Sequence, residues 1–531
     1  MLYFIPSWYK ENSWSENEQK WYIRRLHTEF DDTVKQIQLF HRSGAYPYKI
    51  LLLSFAPNFR HYLHRQSVYH APYWSVFDAI QEVDKRKTVL LSFHNMNWPE
   101  NTEFIYNEFI VIAMVEGKKY ASIEFGEDGN PIQIDMYKED VIQRRNIYDD
   151  RGFVSSTIVY DKGQPVYQDY LMETGISKMR HYMSDGHVEI NDKYPEFLLS
   201  QEGNGNRRSF AKRRYESLEE VLEEVFLEFL SYTNQEDIFC VAMHKRHSEL
   251  LYRTLKNRKT VLSFFGDRFA VEKEEELLER IKEAGYLITD SREQSLKLIR
   301  HLGMDYERIM DITPYDTRAD FGISQQLDVL KILVPVDGLT PDMFTQLIGV
   351  LGAYVRENDK VMVHLFSRQS RYDLEKTLMH QTRKALRLYG IDPDYADERK
   401  ENAYSENTLD EMDEVKVRFF VEQCVDELSV SKCIREQRIL VDMRNIPELY
   451  LQISALSVAI PQLVRTKTQF VEEGENGFFI KRVQDLPEYL DFYLFSMSNW
   501  NDAKVYSYEL GKKYTTRVLL DKWKEVIETV G

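Results

Sequence analysis

Short, almost wholly apolar runs recur along this chain with amphipathic stretches between them, and that alternation limits the fold more than any other feature. Lys49 to Phe55 is such a run. A strand that is apolar at nearly every position has both faces covered, the condition of a parallel strand between layers of helices. Ahead of it Leu26, Phe30, Val34, Ile37 and Phe40 fall three or four residues apart, the stripe of an amphipathic helix. Tyr3 to Pro6 supplies a short strand before that helix, and Gly44 with Pro47 end it. Strand, helix, strand at this spacing is a βαβ unit. A helix over Ser75 to Val83 and a further buried strand over Thr88 to Phe93 continue the series.

From about Asn107 the period changes to two. Ile132, Ile134 and Met136 alternate with Gln133, Asp135 and Tyr137. Glu116-Gly117, Asp128-Gly129-Asn130-Pro131, Asp150-Arg151-Gly152 and Asp161-Lys162-Gly163 are hairpin signals between such runs. Residues 106–200 are therefore expected to form an antiparallel β insertion. Gln201-Glu202-Gly203-Asn204-Gly205-Asn206 reads as a flexible connector, and Ser217 with Glu220 as the capping box of a long helix. Strands over Ile238 to Met243, Thr260 to Phe265 and Tyr286 to Thr289 resume the first domain.

A second αβ series starts near Leu327. Its strands are expected over Lys331 to Val336, Val361 to Phe366, Val415 to Phe420, Ile439 to Val441 and Ile460 to Val464, with helices over Pro341 to Arg356 and Tyr372 to Leu388. The fold class is α/β. A Rossmann-like domain is expected over residues 1–105 and 201–320, the insertion over 106–200, and a second Rossmann-like domain over 325–508. A C-terminal helix over 509–531 is read as one amphipathic element from Glu509 to Val526.

Charge narrows the partners. The formal net charge of −17 repels nucleic acid phosphates and anionic lipid, so no nucleic acid partner is expected. Against that background Arg207, Arg208, Lys212, Arg213 and Arg214 form either a dock for an acidic partner or lipid headgroups, or an ordinary solvated connector. Cys240, Cys424 and Cys433 are too few for a disulfide framework and show no C-x-x-C metal spacing, which fits a reducing cytosol. The opening residues lack a basic stretch followed by an apolar one, so no signal peptide is expected. No apolar run approaches the roughly 20 residues needed to span a bilayer. The expectation is a soluble cytoplasmic chain that could dock peripherally at the inner face of the membrane.

Ligands of open α/β sheets bind at the carboxyl ends of the strands. There the first strand offers Ser7-Trp8-Tyr9 instead of a glycine-rich loop, and that bulk blocks close backbone approach to a pyrophosphate. Trp8, Tyr9, Trp14 and Trp21 could stack on a sugar or pack against the insertion. His244 and His247 are three apart without an evident carboxylate or cysteine partner, and read as unrelated surface histidines. No G-x-S-x-G elbow, Walker A or H-E-x-x-H occurs, and neither a metal nor a cofactor is expected.

The C-terminal half carries a specific resemblance. Ile439-Leu440-Val441-Asp442 through Ile460-Pro461, then Val471-Glu472-Glu473-Gly474-Glu475-Asn476-Gly477-Phe478, is similar to the nucleotide-sugar half of retaining GT-B glycosyltransferases. The resemblance implies two Rossmann-type domains facing across a cleft. In that family a helix carries two glutamates eight positions apart that handle the ribose hydroxyls and the transferred sugar. Anchored on Pro461, those positions hold Ile446 and Ser454, and Ala459 replaces the usual glycine. Neither replacement accepts paired hydroxyl hydrogen bonds as a carboxylate does. Glu448 is nearby, but two positions off register, a rotation of about 200° on a helix. Arg368 and Lys376 stand near the family's phosphate-binding cations, and Glu473 lies in its acidic turn; solvated helix-start cations are the plain reading of the first two.

The whole chain resembles the first accessory Sec system proteins of Gram-positive cocci. The resemblance rests on Tyr3-Phe4-Ile5-Pro6-Ser7-Trp8-Tyr9, on Arg144-Arg145-Asn146-Ile147-Tyr148-Asp149-Asp150-Arg151-Gly152-Phe153, and on the altered C-terminal half. The second segment is shared with the O-glycosyltransferase pair of the same pathway. The family implies a GT-B fold without transferase activity, assembled with the second and third accessory Sec proteins. That complex would contact the accessory SecA ATPase and help deliver glycosylated serine-rich-repeat adhesins to the second SecY channel. The competing expectation is an active or substrate-recognising GT-B transferase subunit acting on a Ser/Thr-rich acceptor protein.

Overall fold

Two all-parallel sheets and one antiparallel sheet account for the strands, and their chain order reproduces the expected two-domain arrangement with an insertion. The computed structural model describes residues 1–10, 13–16, 30–85, 87–192, 208–273, 275–303, 308–396 and 417–531. The first sheet comprises β1 (Leu2–Ile5), β2 (Tyr48–Leu52) and β3 (Tyr73–Ser75). After ten strands of the insertion, β4 (Glu103–Tyr106) to β13 (Arg214–Tyr215), it resumes with β14 (Ile238–Ala242), β15 (Lys259–Phe264), β16 (Tyr286–Thr289) and β17 (Ile309–Asp311). Its order is β17-β16-β15-β14-β1-β2-β3. β1 is thus central, with Leu2 between Ile238 and Tyr48, which explains why Leu2 to Ile5 is apolar on both faces.

The second sheet has the order β20-β19-β18-β21-β22-β23. Its strands are β18 (Leu330–Pro335), β19 (Val361–Ser367), β20 (Phe419–Gln423), β21 (Ile439–Asp442), β22 (Gln462–Val464) and β23 (Gly477–Phe479). Helices cover both faces of both sheets. The last helix, Thr516–Val530, crosses back to the N-terminal domain, where Trp523 packs against Phe40 at 5.4 Å and Phe4 at 6.2 Å between ring centroids. No helix among the described residues is long and apolar enough to cross a membrane.

The insertion is a ten-stranded antiparallel sheet bolted to the N-terminal domain by buried charge. Arg60, on the helix Phe59–Arg65, pairs with Asp150 at 2.6 Å and Asp149 at 3.1 Å. Arg151 reaches Asp78 on the helix Val76–Gln81 at 2.7 and 2.9 Å. The Asp149-Asp150-Arg151 turn is therefore a joint between the insertion and the domain that carries it.

Three expectations are corrected. Thr88 to Phe93 is not a strand: it is a connector, with Leu90 81% exposed. Its apolar residues instead cover the insertion, Leu91 and Phe93 packing on the cluster of Val111, Ala113 and Ile123. Glu509 to Val526 is not one helix. It is split by the turn after Gly511 into Met497–Gly511 and Thr516–Val530. His247 is no surface residue but fully buried, and it precedes the helix Ser248–Leu255. Leu26, Trp21, Arg207, Val415 and the connector from Gln201 to Asn206 lie outside the described residues.

Candidate functional site

The carboxyl ends of both parallel sheets face one another across a cleft of about 660 Å³. From the N-terminal domain it is lined by Ser7, Trp8 and Tyr9 after β1, by Phe265 to Arg268 after β15, by Asp290 after β16, and by Phe30 and Asp31 at the start of the helix Asp32–Ser43. The C-terminal domain contributes Arg368, just beyond β19, and Pro447 to Tyr450, at the start of the helix Leu449–Val458.

The bulky residues after β1 are fixed by their own partners. Trp8 packs on Tyr62 at 4.8 Å and donates Nε1–H to Asp31 Oδ1 at 3.1 Å. Tyr9 meets Trp14 edge-on at 5.6 Å, and its hydroxyl hydrogen-bonds His247 Nδ1 at 2.9 Å. Trp14 joins the core shared with Tyr170 of the insertion. These rings pack, as the commoner use of such aromatics predicts.

Charge in the cleft is largely engaged within the protein. Arg268 grips Asp32 with two hydrogen bonds, Nη1 to Oδ1 at 2.5 Å and Nη2 to Oδ2 at 3.0 Å. Asp31 caps the helix behind it, accepting from Thr33 N at 2.9 Å and Val34 N at 3.2 Å. Asp290 accepts from Gly266 N at 2.6 Å. Burial pushes Asp290 up to about 6. Burial, then the neighbouring Asp32 carboxylate, does the same to Asp31, up to about 6. Glu16 reaches about 7, again through burial.

Across the cleft, Arg368 donates its backbone N–H to Asp337 Oδ2 at 2.7 Å, and its guanidinium lies over the Phe30 ring. The same guanidinium is ion-paired with Glu448. Arg444 adds a second, longer contact to Glu448 at 3.7 Å while chelating Asp442 at 2.7 and 2.8 Å. Phe30 also meets Tyr450 edge-on at 4.7 Å, and the Tyr315 hydroxyl donates to the Phe30 carbonyl at 2.6 Å. An aromatic and ionic plug thus joins the two domains at the floor of the cleft.

The expected donor-site residues are not brought together. Of Arg368, Lys376, Ile446, Ser454 and Glu473, only Arg368 lines this cleft. Lys376 lies on the helix Leu374–Leu388 and Glu473 is exposed in its turn, neither of them at the cleft wall. Ile446 is 70% exposed in a bend before the helix. Ser454 is on the helix but lines a second cavity of about 580 Å³, with Lys35, Arg42, Asp316 and Glu427. Glu448 is not rotated away from the cleft as an unbroken helix would require. Helical geometry begins only at Leu449, and the preceding backbone turns the carboxylate inward. Asp32, Arg268 and Asp290 were missed. Their signal was present in position alone, at the ends of parallel strands or just before a helix.

The acidic glycine turn has an architectural explanation. Gly474 has φ +84°, where L side chains are strained. Asn476 is buried, accepting from Glu472 N at 2.8 Å and donating to Phe470 O at 3.0 Å. A Cβ on Gly477 would collide with the Gln462 carbonyl oxygen. The turn shapes the edge of the second sheet whatever the cleft binds.

The cations of the proposed basic patch also have acidic neighbours. Arg208 pairs with Glu228, Lys212 with Glu220 at 3.5 Å, and Arg213 with Asp192 at 2.6 Å. Arg214 lies exposed on β13.

A family model for the first accessory Sec system protein matches residues 1–529. The chain is 31% identical over 531 residues to the accessory Sec system protein of that family from Streptococcus gordonii, covering 99% of this chain and 98% of that one. It is similar to a chain in the crystal structure of accessory secretory proteins 1, 2 and 3 of Streptococcus pneumoniae, at TM-score 0.78 and 28% identity, covering 100% and 99% of the two chains. The pneumococcal O-GlcNAc transferase GtfA, solved with UDP and GlcNAc, matches at TM-score 0.71 over 100% and 98% of the chains, but at 10% identity, so it shares the GT-B fold alone.

Proposed function

This chain belongs to the family of the first accessory Sec system protein, and from that premise we propose that it is a non-catalytic subunit of the accessory export system. It would act as an adaptor between the second and third accessory Sec proteins, the accessory SecA motor and a serine-rich-repeat adhesin, in the cytoplasm. The observation that carries this reading is the Arg368–Glu448 pair. A sugar nucleotide in a GT-B cleft needs a cation for its phosphates and a carboxylate for its hydroxyls. Here each of those groups is engaged by the other, with Phe30 against the guanidinium and Arg444 behind the carboxylate. Binding would have to break a largely desolvated pair first, and breaking such a pair costs about 3–5 kcal/mol.

The assembly of the pneumococcal relative with its second and third partners supports the adaptor role. The test is co-purification of the tagged chain from its native cells. Recovery of two partner subunits and the motor supports the reading; recovery of sugar-nucleotide enzymes in their place ends it.

A second reading, a transferase subunit acting on Ser/Thr-rich protein, draws on the open cleft and on Glu16, whose buried carboxyl is held near neutrality, where proton transfer is easiest. Turnover of a UDP-sugar by the purified chain, abolished by Glu16→Gln, would favour it.

A further inference from the structure

Cys424 and Cys433 are spaced too widely for any familiar metal motif, yet the fold brings their thiols together with a carboxylate. One ligand atom from each of Glu422, Cys424 and Cys433 lies within 4.8 Å of the others. The three come from different pieces of backbone. Glu422 is on β20, Cys424 directly follows that strand with its N–H donated to Ser367 O at 2.9 Å, and Cys433 is on the helix Glu427–Arg435. A capping box between Asp426 and Ser429 fixes where that helix begins, and so where Cys433 points.

A second observation makes this more than two thiols used as small apolar side chains. The Glu422 carboxylate accepts a hydrogen bond from His364 Nδ1 at 2.7 Å, and His364 is fully buried on β19 with its ring stacked on Phe420 at 5.3 Å. Among the described residues His364 is the sole hydrogen-bond partner of that carboxylate, and Nε2 of the same ring is buried with no partner. A carboxylate oriented by a buried imidazole and facing two thiols is the layout in which an outer group fixes a metal ligand.

We propose that Glu422, Cys424 and Cys433 bind a thiophilic divalent cation of the zinc class, with His364 positioning the carboxylate. Zinc–sulfur and zinc–oxygen bonds of about 2.3 and 2.0–2.2 Å place ligand atoms roughly 3.3–3.8 Å apart, so the side chains close in by about 1 Å. Two sulfur donors exclude magnesium and calcium, which take oxygen shells. Glu422 is partly exposed, which leaves an entry path and a fourth position for water. The ion would staple the helix Glu427–Arg435 to β20, an edge strand held on one side only.

The test uses the full-length chain purified under reducing conditions. It is loaded with zinc, desalted and assayed for metal, then loaded with cobalt for its sulfur-to-metal charge-transfer band. The expected result is one ion per chain and a thiolate band, both lost in Cys424→Ser and Cys433→Ser, weakened in Glu422→Gln, and unchanged in Cys240→Ser, whose thiol lies elsewhere. Zinc should also raise the unfolding temperature of the wild type but not of the serine variants. Metal retention equal in wild type and serine variants, no retention at all, or a disulfide formed between the two cysteines in place of binding would each overturn the proposal.

Discussion

The guanidinium carbon of Arg368 lies 3.3 Å from the centroid of the Phe30 ring, so that a cation of the C-terminal domain sits on an aromatic of the N-terminal domain. Together with Glu448 this contact closes the floor of the cleft, and it predicts how the domains respond to substitution. Arg368→Ala leaves Glu448 without its nearest cation in a largely desolvated site and should cost about 3–5 kcal/mol. Replacing both partners, Arg368→Met with Glu448→Leu, removes the charges together and should cost clearly less than either single change. Chemical denaturation of the wild type, the two single variants and the double variant measures it. Additive losses would show that the two residues are not coupled.

The turn from Val471 to Phe478 should prove structural. Gly477→Ala drives a Cβ into the Gln462 carbonyl and should destabilise by about 1–3 kcal/mol, toward the upper end because the obstacle is backbone. Glu473→Ala, at an exposed position, should stay within about 0.5 kcal/mol. A large loss at Glu473 with none at Gly477 would point to a ligand-binding role for the turn.

Much of the scaffold was legible because parallel strands advertise themselves. β1, β2, β18 and β19 are nearly all apolar, and their periods leave little choice. Thr88 to Phe93 misled because Val89, Leu90 and Leu91 have the same composition while their partner is a turn and a sheet face: Val89 N–H goes to Asp150 O at 2.8 Å and Leu91 N–H to Asn130 Oδ1 at 2.9 Å. Local pattern cannot see which surface an apolar run will cover. The site was less legible still. The positions of Ile446 and Ser454 were read on an assumed helix, whereas the bend before Leu449 decides which side chain enters the cleft. Asp32 and Arg268 are far apart in sequence and meet only through the sheet order.

Glu16 should make stability depend on pH. Its carboxyl is raised from 4.5 to about 7 by burial. Between those values the native state holds a proton that the unfolded chain has released. Native protein therefore binds more protons, and stability falls as pH rises through that window. Glu16→Gln carries no such proton. Its stability relative to wild type should improve from pH 4.5 upward and level off above pH 7. A difference that is flat in pH would contradict the assignment.

His247 has the opposite sense. Burial pulls it from 6.5 down to about 3, with Nε2–H donated to Ala242 O at 2.8 Å. The unfolded chain takes up a proton below pH 6.5 and the native state does not, so this group costs stability progressively as pH falls toward 3. In a pH series of NMR spectra its ring should remain neutral at pH 5 while exposed histidines titrate. A midpoint near 6.5 would mean that the ring is not enclosed as described.

Whether the cleft still accepts a sugar nucleotide decides between an adaptor and an enzyme. Isothermal titration of UDP-hexose into the purified wild-type chain asks this directly. The Arg368–Glu448 pair predicts no saturable heat and no thermal stabilisation, where a ligand present at 100 times its dissociation constant would add about 2.7 kcal/mol. A saturable isotherm that disappears in Arg368→Ala would contradict it.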